Sequence, residues 1–121
     1  MPTWFWLDES QHRARSVTAR ADDVWAKATA SAFRLRVDPG DGSAPVTCAA
    51  PGVAYAKDAD EQDACRHAYK RKGTYTVRVT VSWGADWAGS DGDGGTLPTM
   101  TRSTTFQVRV VEARSELVDN P

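Results

Sequence analysis

The sequence is poor in the residues that catalysis, metal binding and membrane insertion require. Its 121 residues include two histidines and two cysteines, and two cysteines without further Cys or His nearby do not complete a tetrahedral zinc site. No stretch approaches the ~20 apolar residues that span a bilayer, so we expect no direct membrane insertion. A nucleophile elbow and a cofactor fingerprint are also missing. These absences argue against an enzyme.

A secretion signal is also missing from the N-terminus. The first residues lack the basic, apolar and small-residue order of a signal peptide. Met1 directly precedes Pro2, Thr3 and Trp4, and we interpret it as a start codon added to a trimmed segment. The missing leader is therefore weak evidence about where the natural protein acts.

Neither sign of charge is in excess. The chain carries 15 Lys and Arg against 16 Asp and Glu, a formal net charge of −1. A balanced charge gives no general attraction to nucleic acid or to anionic membranes. We therefore expect no nucleic-acid partner.

Length and composition favour one folded domain. The chain is 40% hydrophobic and 26% charged, with 9 Gly and 6 Pro, which is unlike a disordered tail or a fibre. Its length suits a single hydrophobic core. We predict one domain over residues 1–114, with an N-terminal strand at 3–7 and a core region at 17–111. Residues 115–121 are predicted to be a tail or linker.

Alternation of apolar and polar residues predicts β-strands throughout the chain. The clearest segment runs from Gly73 to Trp83, and the pattern returns from Thr99 to Val111. Shorter runs occur at 17–21, 24–29 and 33–37. About seven strands without crossover helices favour an all-β, antiparallel two-sheet sandwich, with a barrel as the alternative. The predicted core consists of Val17, Ala19, Phe33, Leu35, Val37, Tyr75, Val77, Val79, Val81, Phe106, Val108 and Val110.

The two cysteines, Cys48 and Cys65, close a loop that contains an acidic run. Such a loop is a poor core segment, and a disulfide across it would stabilise the fold by ~3 kcal/mol. We favour this disulfide, which implies an oxidising compartment. The alternative is two free buried thiols in a cytosolic protein.

A tight turn is predicted at residues 38–43, Asp-Pro-Gly-Asp-Gly-Ser. Pro39 fixes its own φ, Gly40 and Gly42 supply positive φ, and Asp41 can accept backbone N–H groups across the bend. The turn should therefore end one strand and start the next.

Two segments resemble the PKD (polycystic kidney disease) domain family. The segments are Val37-Asp38-Pro39-Gly40-Asp41-Gly42-Ser43 and His67-Ala68-Tyr69, the latter followed by Gly73-Thr74-Tyr75-Thr76-Val77. They are similar to the family's Trp-Asp-Phe-Gly-Asp-Gly turn and its later His-x-Tyr and Gly-x-Tyr-x-Val strand, and the similarity covers residues 17–111. Val37 and Pro39 stand where the family has tryptophan and phenylalanine. The resemblance implies an immunoglobulin-like β-sandwich in which Asp38, Gly40, Asp41, Gly42, His67, Tyr69, Gly73 and Tyr75 are motif residues with a structural role.

The chain as a whole also resembles PKD-like proteins that high-GC Gram-positive bacteria secrete or display on their surface. The similarity includes the segment 2–8, the paired cysteines and the segment 84–98. It implies no known reaction. It does imply an extracellular or cell-surface location, with proteins or polysaccharides as partners.

His67 and Tyr69 are the first residues to weigh for chemistry, and a structural role fits them better. An imidazole and a phenol just before a strand most simply hydrogen-bond buried backbone groups. Nucleophilic catalysis would need a serine or cysteine, a histidine and an acid within reach of one another. The other histidine, His12, lies in a polar stretch. A small hydrolase is therefore the least favoured class.

The segment 84–98 is predicted to be a long loop, which is where a rigid sandwich usually places recognition. Within it, Asp91 and Asp93 offer oxygens of the kind that calcium prefers. The distal glutamate of an EF-hand is missing, since Arg102 and Ser103 stand there. We therefore expect no cofactor, with calcium as the alternative. The candidate binding loop consists of Asp86, Trp87, Asp91 and Asp93.

Two of the five tryptophans, Trp4 and Trp6, alternate on the predicted N-terminal strand and so share one face. If exposed, they form an aromatic face suited to sugar rings or a partner protein. Otherwise they cover the edge of the sandwich.

These observations predict a non-catalytic extracellular module that binds a partner or serves as a spacer. It would make protein–protein or protein–carbohydrate contacts at the bacterial surface. The alternative is an assembly subunit of a surface complex, which associates through its strand edge and the Trp4–Trp6 face.

Overall fold

The chain folds almost entirely into antiparallel β-strands. The computed structural model describes residues 3–56 and 64–111 in full and the backbone of residues 114–118. The elements in chain order are β1 (Thr3–Phe5), α1 (Glu9–His12), β2 (Arg15–Ala21), β3 (Val24–Asp38), β4 (Val46–Ala49), β5 (Cys65–His67), β6 (Gly73–Gly89), β7 (Gly94–Val111) and β8 (Arg114–Val118). The prediction of an antiparallel all-β fold is confirmed. Strand β8 extends the large sheet into residues that were predicted to be a tail.

The strands form a six-stranded sheet and a two-stranded sheet. The order in the large sheet is β2-β3-β6-β7-β8, and β4 also pairs with β3. Strand β3 is long enough for both partners, because residues 24–30 pair with β2 and residues 34–37 pair with β4. The small sheet is β1 paired with β5. The large sheet therefore has a proximal half beside β4 and a distal half beside β2.

The hydrophobic core lies between the small sheet and the proximal half of the large sheet. Its buried members are Phe5, Leu35, Val37, Cys65, Val77, Val79, Val81, Val108 and Val110. The small sheet contributes Phe5 and Cys65 to this core. The valines of β6 and β7 occupy alternate positions, as the period of two in the sequence predicts. Tyr75 and Phe106 pack against this core and are half-buried.

A β-bulge in β3 separates the two halves. Ala32 pairs with Trp83 and Arg34 pairs with Ser82, which are consecutive residues of β6. Phe33 is therefore the extra residue of the bulge. The bulge leaves the Phe33 side chain 41% exposed, with the Arg34 guanidinium 5.3 Å from its ring centre. The prediction that Phe33 belongs to the core was therefore wrong. The apolar residues of β3 nevertheless stay on one face along the whole strand.

Strand β2 also departs from the predicted core. Val17 is 72% exposed, and Ala19 is exposed as well. Both residues lie on β2 in the distal half, and the small sheet contacts the large sheet near β4 instead. Their alternating pattern correctly indicates a strand, but no described part of the chain covers its apolar side.

The segment 84–98, predicted to be a loop, is mostly strand. Strands β6 and β7 continue through it and pair as far as Ala88 and Gly94. Only residues 90–93 form the connecting turn. A bulge in β7 between Leu97 and Met100 accommodates Pro98, which cannot donate to the ladder.

A disulfide joins Cys48 of β4 to Cys65 of β5, with the Cα atoms 5.6 Å apart. The predicted pairing is confirmed, and it connects the large sheet covalently to the small one. Such a bond suggests a non-cytoplasmic environment. Within the residues described, no helix has the length and apolar character needed to cross a membrane.

Candidate functional site

The predicted turn at residues 38–43 has the geometry that its sequence indicates. Asp38 Oδ1 accepts the backbone N–H of Gly40 at 3.1 Å, and Asp41 Oδ1 accepts that of Ser43 at 3.0 Å. Gly40 and Gly42 both adopt positive φ, at 81° and 87°. The two aspartates thus hold a bend that the glycines make possible.

The turn is tied to β5 by a short contact between Asp41 and His67. The Asp41 Oδ2 and His67 Nε2 atoms are 2.7 Å apart, and both side chains are only 14% exposed. Burial of the carboxyl raises its pKa, but hydrogen bonds from His67 and Ser43 outweigh this effect and lower the pKa of Asp41 to about 2. Since the ionised carboxylate only accepts, the His67 Nε2–H donates.

Two tyrosines complete this arrangement, which we call the motif corner (residues 38–43, His67, Tyr69 and Tyr75). Their rings stack with centres 4.6 Å apart, and the His67 ring meets Tyr69 edge-on at 4.7 Å. The Tyr69 hydroxyl donates to the Pro39 carbonyl at 2.8 Å, and the Tyr75 hydroxyl donates to the Arg71 carbonyl at 2.8 Å. Burial, together with the nearby Asp41 charge, raises the pKa of Tyr69 to about 12.

The motif corner uses its polar groups to hold the fold. The carboxylate, the imidazole Nε2 and both phenols are engaged with other protein groups. The Ser43 hydroxyl also hydrogen-bonds to the Asp41 carboxylate, and this bond contributes to the low pKa of Asp41. The corner therefore contains an acid, a base and a hydroxyl, and the acid holds the other two groups in place.

An exposed group of aromatic side chains lies on the outer side of the small sheet. Alternation along β1 directs Phe5 inward, where its ring lies 6.3 Å from that of Phe106, and directs Trp4 and Trp6 outward. Tyr55 joins them, because its ring packs edge-on against Trp4 at 5.1 Å. Trp6 is 43% exposed and Tyr55 is 51% exposed, while Trp4 is half-buried. We call Trp4, Trp6 and Tyr55 the aromatic patch.

Tyr55 was missed by the sequence analysis. It lies in an irregular segment inside the loop closed by the disulfide, so no periodicity marks it. The loop returns to the small sheet at Cys65, which pairs directly with Phe5. That pairing brings the loop close to β1, but it is visible only in the structure, so the sequence carried no signal for Tyr55.

The four residues of the candidate binding loop do not converge. Asp86 and Trp87 are neighbours on β6 and so point to opposite faces of the sheet. Asp86 accepts from the Thr96 hydroxyl at 3.3 Å, and Asp91 accepts the backbone N–H of Asp93 at 3.1 Å. Within the described ranges, no group of three or more His, Cys, Asp or Glu residues could hold a metal ion.

The distal half of the large sheet has one strongly apolar side, which we call the distal face. Antiparallel partners share a face, so the register of β2, β3, β6 and β7 defines its members. Its apolar side chains are Val17, Ala19, Ala21, Val24, Ala26, Ala28, Ala30, Ala32, Trp83, Ala85, Trp87, Leu97 and Met100. The opposite side carries mainly polar residues such as Ser16, Thr29 and Asp86. The sequence analysis missed this face because it assigned part of it to the core and part to a loop.

A shallow polar pocket of about 320 Å³ lies on the outer side of the proximal half. Arg36, Asp38, Arg78, Thr80 and Ser103 line it, and the two hydroxyls hydrogen-bond each other at 2.8 Å. Small-molecule sites are usually concave and mostly apolar. The polar pocket therefore ranks below the aromatic patch and the distal face as a binding surface.

Comparisons with protein-family models, curated proteins and solved structures find no significant match to the chain. The resemblance to the PKD family therefore stays a prediction, and the case for function rests on the geometry of the surfaces above.

Proposed function

We propose that this chain is a non-catalytic binding module of the bacterial cell surface that contacts polysaccharide through its aromatic patch. We further propose that its fold is an immunoglobulin-like sandwich of the PKD type, in which the small sheet serves as the second layer. The disulfide supports a location outside the cytoplasm. The engagement of His67 with Asp41 and of Tyr69 with the Pro39 carbonyl supports a structural role for these groups rather than a catalytic one.

The observation that carries this proposal is the exposure of Trp6 and Tyr55 beside Trp4. Aromatic rings that could be buried are normally buried, so an exposed cluster marks a contact surface. Flat aromatic rings present an apolar body on which the C–H face of a sugar ring can pack, while their polar atoms hydrogen-bond to hydroxyls. The edge-on contact between Trp4 and Tyr55 makes the cluster angular, which suits a sugar chain better than a flat protein surface.

The patch is also held rigidly before any ligand arrives. Trp4 and Trp6 belong to backbone that pairs with Arg66 of β5 and with Gly52. Strand β5 is in turn anchored by the disulfide to β4. A surface that is already ordered loses less conformational entropy on binding, and this improves affinity.

The test is retention of the purified, oxidised chain on insoluble cell-wall and plant polysaccharides. Trp6→Ala should weaken retention about tenfold, which corresponds to ~1.4 kcal/mol. Phe33→Ala is the matched control, because Phe33 is similarly exposed at 41% but lies in the large sheet. Retention that both variants preserve, or no retention of the parent chain on any polysaccharide, would refute the proposal. Parallel samples in calcium and in EDTA test whether a cation contributes.

A further inference from the structure

The distal face is an apolar surface without a second layer among the described residues. In the proximal half the same side of the sheet is covered by Phe5 and Cys65 of the small sheet. In the distal half Val17, Val24 and Met100 are all exposed. A sheet with one apolar face normally buries that face against another element. The residues described thus leave the outer part of the distal face uncovered, while Ala32 and Trp83 at its inner end pack against the core.

The face has a relief that complements itself. On the β3 side it consists of Ala26, Ala28, Ala30 and Ala32, which form a shallow trough. On the β6 side the two large side chains, Trp83 and Trp87, make up the ridge. Trp83 pairs with Ala32 and packs partly against the core, and Trp87 pairs with Ala28 and lies over Gly95 of β7. A two-fold axis parallel to the strands, running between β3 and β6, would place the ridge of each copy over the trough of the other. Such isologous pairing is the commonest form of self-association.

The charge on the face permits this contact. Three charged side chains lie on this side, all at its borders: Arg15 pairs with Ala30 on the edge strand β2, Arg102 follows Met100 on β7, and the Asp91 carboxylate lies beside Gly89 at the end of β6. A long arginine side chain at an edge can extend into solvent while its stem stays on the apolar surface. The other charged residues of this region, such as Lys27 and Asp86, lie on the opposite side. Two copies can therefore stack through the apolar centre of the face and leave these charged groups at the rim of the contact.

The area of the face fits a weak dimer. Four strands spaced ~4.8 Å apart and about seven residues long, at ~3.3 Å per residue, present roughly 400–500 Å². Two stacked faces then bury about 800–1,000 Å², which is below the ~1,200–2,000 Å² of stable specific interfaces and within the range of weak, transient ones. We propose that a second copy of this chain covers the distal face, in a two-fold dimer with a dissociation constant in the micromolar range. This inference is independent of polysaccharide binding, since the aromatic patch lies on the small sheet.

Sedimentation velocity of the full, oxidised chain from ~1 μM to ~500 μM tests the dimer across the micromolar range. Val17→Arg and Ala28→Arg place a charge on the distal face, and each should raise the dissociation constant at least about tenfold, because the charge would be buried unpaired. Ser16→Arg and Thr29→Arg are matched controls: they change the adjacent residue of the same strand on the opposite side. These controls should leave the dissociation constant within about twofold.

The Val17→Arg variant tests the dimer independently of folding. Val17 is 72% exposed, so an arginine there should leave the monomer intact, and near-ultraviolet circular dichroism can check this. A chain that stays monomeric over the whole range would overturn the inference, and the face would then belong to a different protein. A dimer that survives both Val17→Arg and Ala28→Arg would also overturn it, since such a dimer must form through the β2 edge or another surface.

Discussion

Two glycines of the motif corner provide the sharpest test of the fold, because they share a backbone conformation but differ in surroundings. Gly40 has φ of 81° and Gly42 has φ of 87°. A Cβ atom added at Gly42 would meet no atom within 4 Å. At Gly40 the same atom would overlap the backbone carbonyl oxygen of Thr76 on β6. Alanine at either position therefore incurs the left-handed strain, but only at position 40 does it also collide with the sheet.

The expected costs follow from these two contributions. Alanine in the left-handed region costs about 1 kcal/mol relative to glycine. An atom forced into packed backbone adds about 1–3 kcal/mol, because a strand has to move. We therefore expect Gly42→Ala to lower the free energy of unfolding by about 1 kcal/mol and Gly40→Ala by about 2–4 kcal/mol. Gly42→Asn should cost less than Gly42→Ala, since asparagine tolerates positive φ.

Urea unfolding followed by tryptophan fluorescence measures all three variants against the parent chain. The slope of the transition should stay unchanged, so that midpoints report stability directly. Equal costs at positions 40 and 42, or a larger cost at 42, would refute the placement of the turn against Thr76.

Two further predictions concern the motif corner and the disulfide. The folded-state pKa of Asp41 is depressed from 3.8 to about 2, so its stabilising contribution is present above pH 3.8 and is lost as the pH falls toward 2. The depression corresponds to about 2 kcal/mol, which solvent beside the carboxylate screens to about 1 kcal/mol. Unfolding measured between pH 5 and pH 2 should show this loss in the parent chain, and Asp41→Asn should lack it; an identical pH profile in both would contradict the role of His67. Replacing Cys48 and Cys65 together by alanine should lower stability by ~3 kcal/mol. Intact mass after alkylation of unfolded, unreduced protein checks the bond itself, since two free thiols would exclude it.

Local pattern was enough to predict most of the strands and the turn at residues 38–43, but not the contact of His67 with Asp41 in that turn. The valines of β6 alternate with threonine and arginine, and this period of two has no helical interpretation. The Asp-Pro-Gly-Asp-Gly turn was predictable because each residue type has a conformational reason to be there. The Cys48–Cys65 bond was predictable because the acidic loop between the two cysteines has little to bury.

Local pattern could not predict which strands have their apolar side covered by other residues. An alternating strand shows that it has an apolar side, but it does not show whether a second layer lies over that side. Val17 and Leu35 therefore look equivalent in sequence, although Val17 is exposed and Leu35 is fully buried. The glycines and Pro98 of the segment 84–98 suggested a loop. In the structure these residues belong to two long paired strands, and a bulge accommodates Pro98. Tyr55 lies beside Trp4 because of the path that an irregular segment takes, and no local sequence pattern predicts that path.

The position of the disulfide has a mechanical consequence for a domain that is pulled from its N-terminal side. A force applied through Thr3 acts on β1, which pairs with β5 along three residues. Strand β1 can peel away at a low force, because so few hydrogen bonds resist it. Strand β5 cannot follow it freely, since Cys65 is covalently tied to Cys48 in the large sheet. The bond thereby prevents the segment between the two cysteines from extending, and β4 and β5 stay joined while the chain is under tension.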